Sequence, residues 1–311
     1  MPDEPDEHQV VTLLTRTATD PPAWLAIGPG DDCAVLDDGT ALSTDLLVEG
    51  VHWDGRQGPE DLGFKAVMVN ASDLAAMGAV PRWALLSVSL PQPIDPAWLE
   101  AFRAGLHAGL DRAGLTLVGG DTTRSPGPKV VGLSVGGTVA PDRALRRCGG
   151  EAHDDVWVSG MLGDAAAGFL LEHPPDSLWA AHARPQPPLH LGPALAEHGL
   201  ATAAMDLSDG LATDLLRLCR ASGVGAAIDS SAVPVSSAFA RSGADPSWAV
   251  SFGEDYQLLF SAAPRHREAV ARLGRALDLR LTRIGALTSG SDVHLDGGAW
   301  PAAWTHFGAE A

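Results

Sequence analysis

Residues 96–124 read PAWLEAFRAGLHAGLDRAGLTLVGGDTTR and pass from a helix to a strand to an acidic glycine motif. Pro96 to Ala113 places apolar residues at helical spacing, and Gly114 marks the stop. Leu115 to Val118 is a short apolar run, read as a buried strand that feeds Gly119-Gly120-Asp121-Thr122-Thr123. Paired glycines let a backbone approach an anion, their N–H groups can form a nest, and Asp121 can hold a metal on the same oxygens. Taken alone, the motif is equally well explained by an ordinary turn.

The alternation continues on both sides. Residues 1–9 read as disordered, Val10 to Thr17 as a short helix, and Cys33 to Leu36 and Ala41 to Thr44 as strands. Pro59 to Ala79 is a helix opened by Pro59-Glu60-Asp61 and left at Gly78, with Asp73 pointing out of an apolar element. Trp83 to Leu90 and Val130 to Val139 are strands, the latter with Gly132, Gly136 and Gly137 marking a bulge or a close backbone contact. Pro141 to Ala152, polar and arginine-bearing, is the linker that divides the chain into domains 1–140 and 141–311.

The second half starts afresh at Val156 to Ser159, and Gly160 to Asp164 turns into an alanine-rich helix. Prolines 174, 175, 185, 187 and 188 predict a surface excursion. Helices follow over Leu189 to His198 and, opened by Ser208-Asp209, over Leu211 to Ala221, with a brief strand at Ala203 to Met205. Tyr256 to Phe260, Arg265 to Leu277 and Leu281 to Ile284 form a strand, helix, strand run. The class is mixed α/β, in two domains.

Further acidic motifs sit where an apolar run meets a turn: Gly30-Asp31-Asp32, Ser43-Thr44-Asp45, Ser72-Asp73 and Asp206-Leu207-Ser208-Asp209-Gly210, with Gly253-Glu254-Asp255 later. Ser-Asp pairs commonly cap helices, so each motif is weak by itself. Capping explains one of Asp206 and Asp209, not both. Together, and without histidine or cysteine, they form a hard oxygen-only set from separate loops, suited to Mg²⁺ bridging the phosphates of a substrate. The chain is therefore expected to handle a nucleotide. His52 follows Asp45 closely, Arg124, Arg146 and Arg147 offer bidentate donors, and Trp304 offers a stacking face; structural roles fit each of them as well.

Composition narrows the classes. Asp and Glu number 39 against 21 Lys and Arg, for a net charge of −18, so a bare polyanion is repelled and nucleic acid is not expected as a partner. Lys65 and Lys129 are the only lysines, and neither ends a phosphate-binding P-loop nor partners a kinase-type glycine loop. Cys33, Cys148 and Cys219 are widely spaced, which predicts neither a disulfide framework nor zinc, and suits a reducing cytoplasm. The acidic start lacks a signal peptide's pattern, and no apolar stretch approaches the roughly 18 residues of a membrane span.

These motifs resemble the thiamine-monophosphate kinase family of the aminoimidazole ribonucleotide synthetase-like superfamily, almost end to end. The likeness lies in residues 30–34, in Ser43 to Trp53, in Val69 to Ala79, in Gly119 to Arg124, in Asp206 to Leu211 and in Gly253 to Tyr256. The resemblance implies a two-domain fold whose N-terminal sheets join into a barrel across a homodimer interface. It implies transfer of the ATP γ-phosphoryl group to thiamine phosphate with several Mg²⁺ ions, held by Asp32, Ser43, Thr44, Asp45, Asp73, Asp121, Asp206 and Asp209. Asp32, Asp121 and Asp209 would be the catalytic carboxylates. Nucleotide contacts fall on Gly120, Asp121, Arg147 and Ser208, and thiamine phosphate contacts on His52, Glu254 and Trp304. Phe252 and Gln257 depart from the family's G-G-E-D-Y-E pattern, at the pocket wall near Glu254.

A phosphate monoester with a second pKa of about 6 is already anionic at neutral pH and needs no general base. Alignment and charge cancellation by a carboxylate-held metal cluster are what such a transfer requires. Direct in-line transfer is expected. The alternatives are another ATP-dependent reaction of the superfamily, such as aminoimidazole ribonucleotide synthesis, or a catalytically silent metal-binding dimer.

Overall fold

The computed structural model describes residues 7–15 and 21–301. Trp304 lies outside the described residues. Strands β1 (Leu25–Ile27), β2 (Ala34–Leu36), β3 (Thr40–Val48), β4 (Val80–Leu90), β5 (Thr116–Arg124) and β6 (Val130–Thr138) form one sheet in the order β1-β2-β3-β6-β4-β5. Its pairs are antiparallel except β4 with β5. Helix α1 (Glu7–Thr15) precedes it, beginning inside the stretch expected to be disordered, and α2 (Pro59–Ala76) and α3 (Pro96–Ala113) complete this half.

Strands β7 (Asp155–Ser159), β8 (Ala203–Asp206), β9 (Gly225–Ile228), β10 (Leu258–Ala262), β11 (Leu281–Thr288), β12 (Val293–Leu295) and β13 (Gly298–Ala299) form a second sheet, ordered β13-β12-β9-β11-β7-β10-β8. Only β12 with β9 is parallel. With it go α4 (Asp164–Leu170), α5 (Asp176–Ala183), α6 (Leu191–His198), α7 (Leu211–Ser222), α8 (Ser237–Arg241), α9 (Trp248–Ser251) and α10 (Arg267–Ala276).

Helix α2 is the axis of the molecule. From Leu62 to Ala76 only Asp73 escapes full burial, as in a helix covered on every side. One side packs on the first sheet through Met68, Ala71 and Leu74, and the far end meets α6, where Ala76 joins Leu191 and Leu195. Against α3 it approaches closely because glycine occupies the crossing: a Cβ on Gly63 would meet the Phe102 carbonyl oxygen at 2.3 Å, and one on Gly105 the Glu60 oxygen at 1.7 Å. Helix α3 itself begins and ends where its sequence says. Asp95 accepts a hydrogen bond from the Ala97 N–H at 2.9 Å, and Gly114 closes it at φ 69°.

Three expectations are corrected. Leu115 to Val118 does not stop at a turn: the strand runs through the glycines to Arg124, and β5 is an exposed edge rather than a buried strand. The glycines serve strand approach, since a Cβ on Gly120 would lie 1.7 Å from the Leu86 oxygen of β4. The proline-rich stretch holds a packed helix, α5, with Leu178, His182 and Ala183 buried, and Pro185, Pro187 and Pro188 buried after it. Helix α7 is not capped by Ser208 or Asp209; Gly210 stands at its N-cap without a side-chain bond.

Replacing Gly105 with Val should lower the urea-unfolding stability by about 3 kcal/mol, because backbone rather than a flexible side chain blocks the added atoms. An unchanged unfolding midpoint would show that α2 and α3 can separate freely.

Candidate active site

Between the two sheets opens a cleft of about 990 Å³, lined by residues of both halves. At its floor, Asp32 from the loop before β2, Asp73 from α2 and Asp206 from the end of β8 each place a carboxylate oxygen within 4.8 Å of the others. The fold gives each a holder. Ser43 Oγ donates to Asp73 at 2.6 Å, Ser72 Oγ donates to Asp206 at 2.7 Å, and the Arg147 guanidinium donates to Asp32 through Nε at 3.1 Å and Nη2 at 2.5 Å. Ser72 and Asp73, adjacent on α2, thus reach into different halves of the molecule.

Asp32 Oδ2 is buried with no hydrogen-bond partner among the described residues. A buried, unpaired carboxylate oxygen is costly, and here it adjoins two other carboxylates, which is the environment a hard divalent cation satisfies. The residues present therefore fit the metal that the sequence implies. Burial, followed by neighbouring carboxylates, pushes Asp73 and Asp206 well above the usual range, and burial raises Asp32 against the opposing pull of Arg147. Asp45 rises to about 6 for the same reasons, with Asp209 the leading neighbour.

The other expected residues divide into those the cleft gathers and those it does not. Ser43, Thr44, Asp45, His52, Arg147, Ser208, Asp209 and Glu254 line the cleft with the three carboxylates. The Thr44 hydroxyl is nevertheless committed to the Leu133 carbonyl at 2.9 Å, on the opposite pleat from Ser43 and Asp45. His52 Nδ1 accepts from the Val48 N–H at 3.0 Å, which leaves Nε2 to carry the proton of the neutral ring. Asp209 pairs with Arg217, which also binds Asp214 at 3.0 Å. Asp121 and Gly120 lie on the exposed β5 edge and are not among the cleft-lining residues. Arg146 pairs with Asp31 at 3.2 Å.

Glu254 sits in a loop zipped to the Asp206–Gly210 segment: its N–H donates to the Ser208 oxygen at 2.8 Å, and a Cβ on Gly253 would meet that oxygen at 2.0 Å. Glu254 at φ 69° and Tyr256 at φ 49° hold left-handed backbone that side-chain-bearing residues rarely adopt, a concentration of strain typical of functional loops. Asp255 turns away and accepts from the Gly163 N–H at 2.9 Å, near the start of α4.

Residue-by-residue reading missed Lys65, His182, Asp214 and Arg217. Asp214, completely buried, rises to about 8 through burial and then the Asp209 charge. The available signal was the i,i+3 spacing of Asp214 and Arg217 within α7. Lys65 and His182 are isolated polar residues in apolar helices and carried no comparable mark.

A carboxyl whose folded-state pKa is raised withdraws stability as pH climbs; the loss begins at the unfolded value near 4 and is complete above the folded one. With Asp45 at about 6, Asp255 at about 7 and Asp214 at about 8, the protein in EDTA should lose thermal stability from pH 5 to pH 8. His182, lowered by burial, opposes this as a single group. Added Mg²⁺ should restore the melting temperature at pH 8 more than at pH 5. A melting temperature in EDTA that is flat or rising over this interval would contradict the electrostatic account.

Comparison with known proteins agrees with this geometry. The model for the AIR synthase related protein, N-terminal domain, matches residues 30–139, and that for the C-terminal domain matches residues 152–297. Thiamine-monophosphate kinase of Salmonella typhimurium (strain LT2) is 41% identical over 278 residues, 84% of each chain. The crystal structure of thiamine-monophosphate kinase from Stenotrophomonas maltophilia K279a superposes with a TM-score of 0.79 at 39% identity, covering 89% of this chain and 92% of that one. AaThiL complexed with AMPPCP and TMP superposes with a TM-score of 0.83 at 30% identity over 97% of both chains. With likeness of this depth along nearly its whole length, and one cleft that gathers most of its acidic motifs, the chain belongs to the thiamine-monophosphate kinase family.

Proposed function

We infer that the protein transfers the γ-phosphoryl group of ATP to thiamine phosphate, giving thiamine diphosphate and ADP. The observation that carries this reading is the carboxylate cluster of Asp32, Asp73 and Asp206 in a cleft that also presents Arg147, Ser208, His52 and Glu254. A relative matching 97% of the chain holds AMPPCP, an ATP analogue, and TMP.

Asp32, Ser43, Asp45, Asp73, Asp206 and Asp209 would hold Mg²⁺ ions, with Thr44 contributing through its backbone. When bound, such ions cancel phosphate charge and align the two phosphate groups. The protein's own groups do the rest. Arg147 and Ser208 meet the nucleotide phosphates, His52 stands on the acceptor phosphate's side of the cleft, and Glu254 receives the acceptor's organic part. The acceptor oxygen is already anionic at neutral pH, so no residue need remove a proton, and transfer is direct.

Asp121 and Gly120 belong to the reading through a second subunit. The outer face of the first sheet exposes Leu46 (61%) and Val118 (61%) beside Leu85, an uncovered apolar surface on the strands that neighbour the motif. In a homodimer whose N-terminal sheets join into a barrel, β5 of one protomer would deliver Asp121 to its partner's cleft. The domain boundary falls at residues 140/141, consistent with β6 ending at Thr138 and β7 starting at Asp155. Cys33, Cys148 and Cys219 are all free thiols, in keeping with a reducing cytoplasm; among the described residues no helix is long and apolar enough to cross a membrane.

³¹P NMR of the protein with ATP, Mg²⁺ and thiamine phosphate should show thiamine diphosphate and ADP, and no reaction in EDTA. ATP left intact, or hydrolysed without the diphosphate product, would overturn the assignment. Asp206→Asn should reduce turnover by about 100-fold or more. Mixing inactive Asp121→Asn and Asp206→Asn subunits should restore part of the activity, since one cleft of the hybrid dimer is then intact; no restoration would place Asp121 outside the partner's site.

A further inference from the structure

Lys65 is wholly buried, at 0% exposure, in the middle of α2 among Leu62, Phe64, Met68 and Val69. Its Nζ lies 2.6 Å from Glu254 Oε2, and His182 Nδ1 of α5 lies 2.9 Å from the same oxygen. Burying an ammonium costs several kcal/mol even when it is paired, and an apolar side chain of similar length would hold the packing more cheaply. A buried lysine on this central helix therefore needs a use for its charge.

The geometry of Glu254 supplies one. Lys65 and His182 both approach Oε2, while among the described residues Oε1 makes no hydrogen bond, and the Glu254 side chain lines the cleft. The approach of His182 is close but off the hydrogen-bonding direction, so Lys65 is the partner that fixes the carboxylate. Burial opposes ionisation of Glu254, yet Lys65 and then His182 outweigh it and hold the carboxyl at about 2. Beside it Phe169 and Phe252 face the same cleft, with ring centroids 6.2 Å apart, and Phe169 lies 4.9 Å from the His182 ring. Aromatic walls around a fixed anion suit a flat, positively charged or N–H-bearing heteroaromatic ring.

We propose that Lys65 is a positioning residue for the phosphate acceptor: it anchors Glu254 by one oxygen and so presents the other to the acceptor's heteroaromatic part. The inference rests on the proposed reading of the acceptor as thiamine phosphate, and extends it to a residue that touches neither substrate.

The groups facing the Glu254 carboxylate are Lys65 from α2, His182 from α5, and Asp255 and Tyr256 in its own loop; Arg56 acts on His182. Removing Lys65 leaves a desolvated carboxyl whose ionisation then requires higher pH. In Lys65→Met the KM for thiamine phosphate should rise about tenfold or more at pH 7 and fall again towards pH 9, with the KM for ATP within about twofold of wild type. The double variant Lys65→Met/Glu254→Gln, which buries no unpaired charge, should fold, lose the pH dependence, and match Glu254→Gln alone. Lack of thiamine phosphate turnover by the wild-type protein would sink the functional reading. Wild-type turnover with an unchanged acceptor KM in Lys65→Met, equal rises for both substrates, or additive effects in the double variant would overturn the role of Lys65. Should Lys65→Met fail to fold, the comparison between the double variant and Glu254→Gln decides alone: a further rise in acceptor KM in the double variant refutes the proposal.

Discussion

Three carboxylates held with oxygens within 4.8 Å of one another repel, and burial makes the repulsion worse. Nothing in the fold would gather them for stability. Ser43 on β3 grips Asp73 on α2 within the first half, whereas Ser72 on α2 grips Asp206 on β8 and Arg147 from the linker grips Asp32, bonds that form only if the two halves of the chain stand in fixed relation. The rest of the architecture serves that constraint. Helix α2 is buried on nearly every side so that its one turn of Ser72 and Asp73 can reach into both sheets, and glycines at the α2–α3 crossing let it sit deep enough.

The electrostatic consequence runs from packing to chemistry. The cluster concentrates raised carboxyl pKa values where Arg147 and Arg217 partly neutralise them. A divalent cation would satisfy the buried Asp32 oxygen that no donor among the described residues reaches. With such ions bound, a chain of net charge −18 could receive polyphosphate substrates, because the local field in the cleft would be inverted while the average surface remains acidic. At the other end of the cleft the logic reverses: Lys65, with His182 close by, holds a single carboxylate ionised beside aromatic walls.

Much of this was legible in the chain, for reasons that can be named. Helix α3 announces itself by Asp95-Pro96 at one end and Gly114 at the other, and the structure keeps both limits. The gathering of most acidic motifs in one cleft was legible because the motifs recur at element ends, although each alone is ambiguous. The failures have physical causes as well. Gly119-Gly120 resembles a turn, yet here glycine relieves a close approach to β4, and the motif lies in an edge strand away from the chain's own cleft. Prolines 174 to 188 suggest an exposed loop, but they flank α5 and several are buried. Lys65 and His182 acquire meaning only from Glu254, which lies far along the sequence and meets them through tertiary packing.

The central claim, that the clustered carboxylates at the junction of the two halves are a divalent-cation site, is tested most directly by anomalous diffraction. Crystals grown with Mn²⁺, a non-hydrolysable ATP analogue and thiamine phosphate should give manganese peaks bounded by Asp32, Asp73 and Asp206. Bound nucleotide with manganese peaks elsewhere, or none at those carboxylates, would contradict the account.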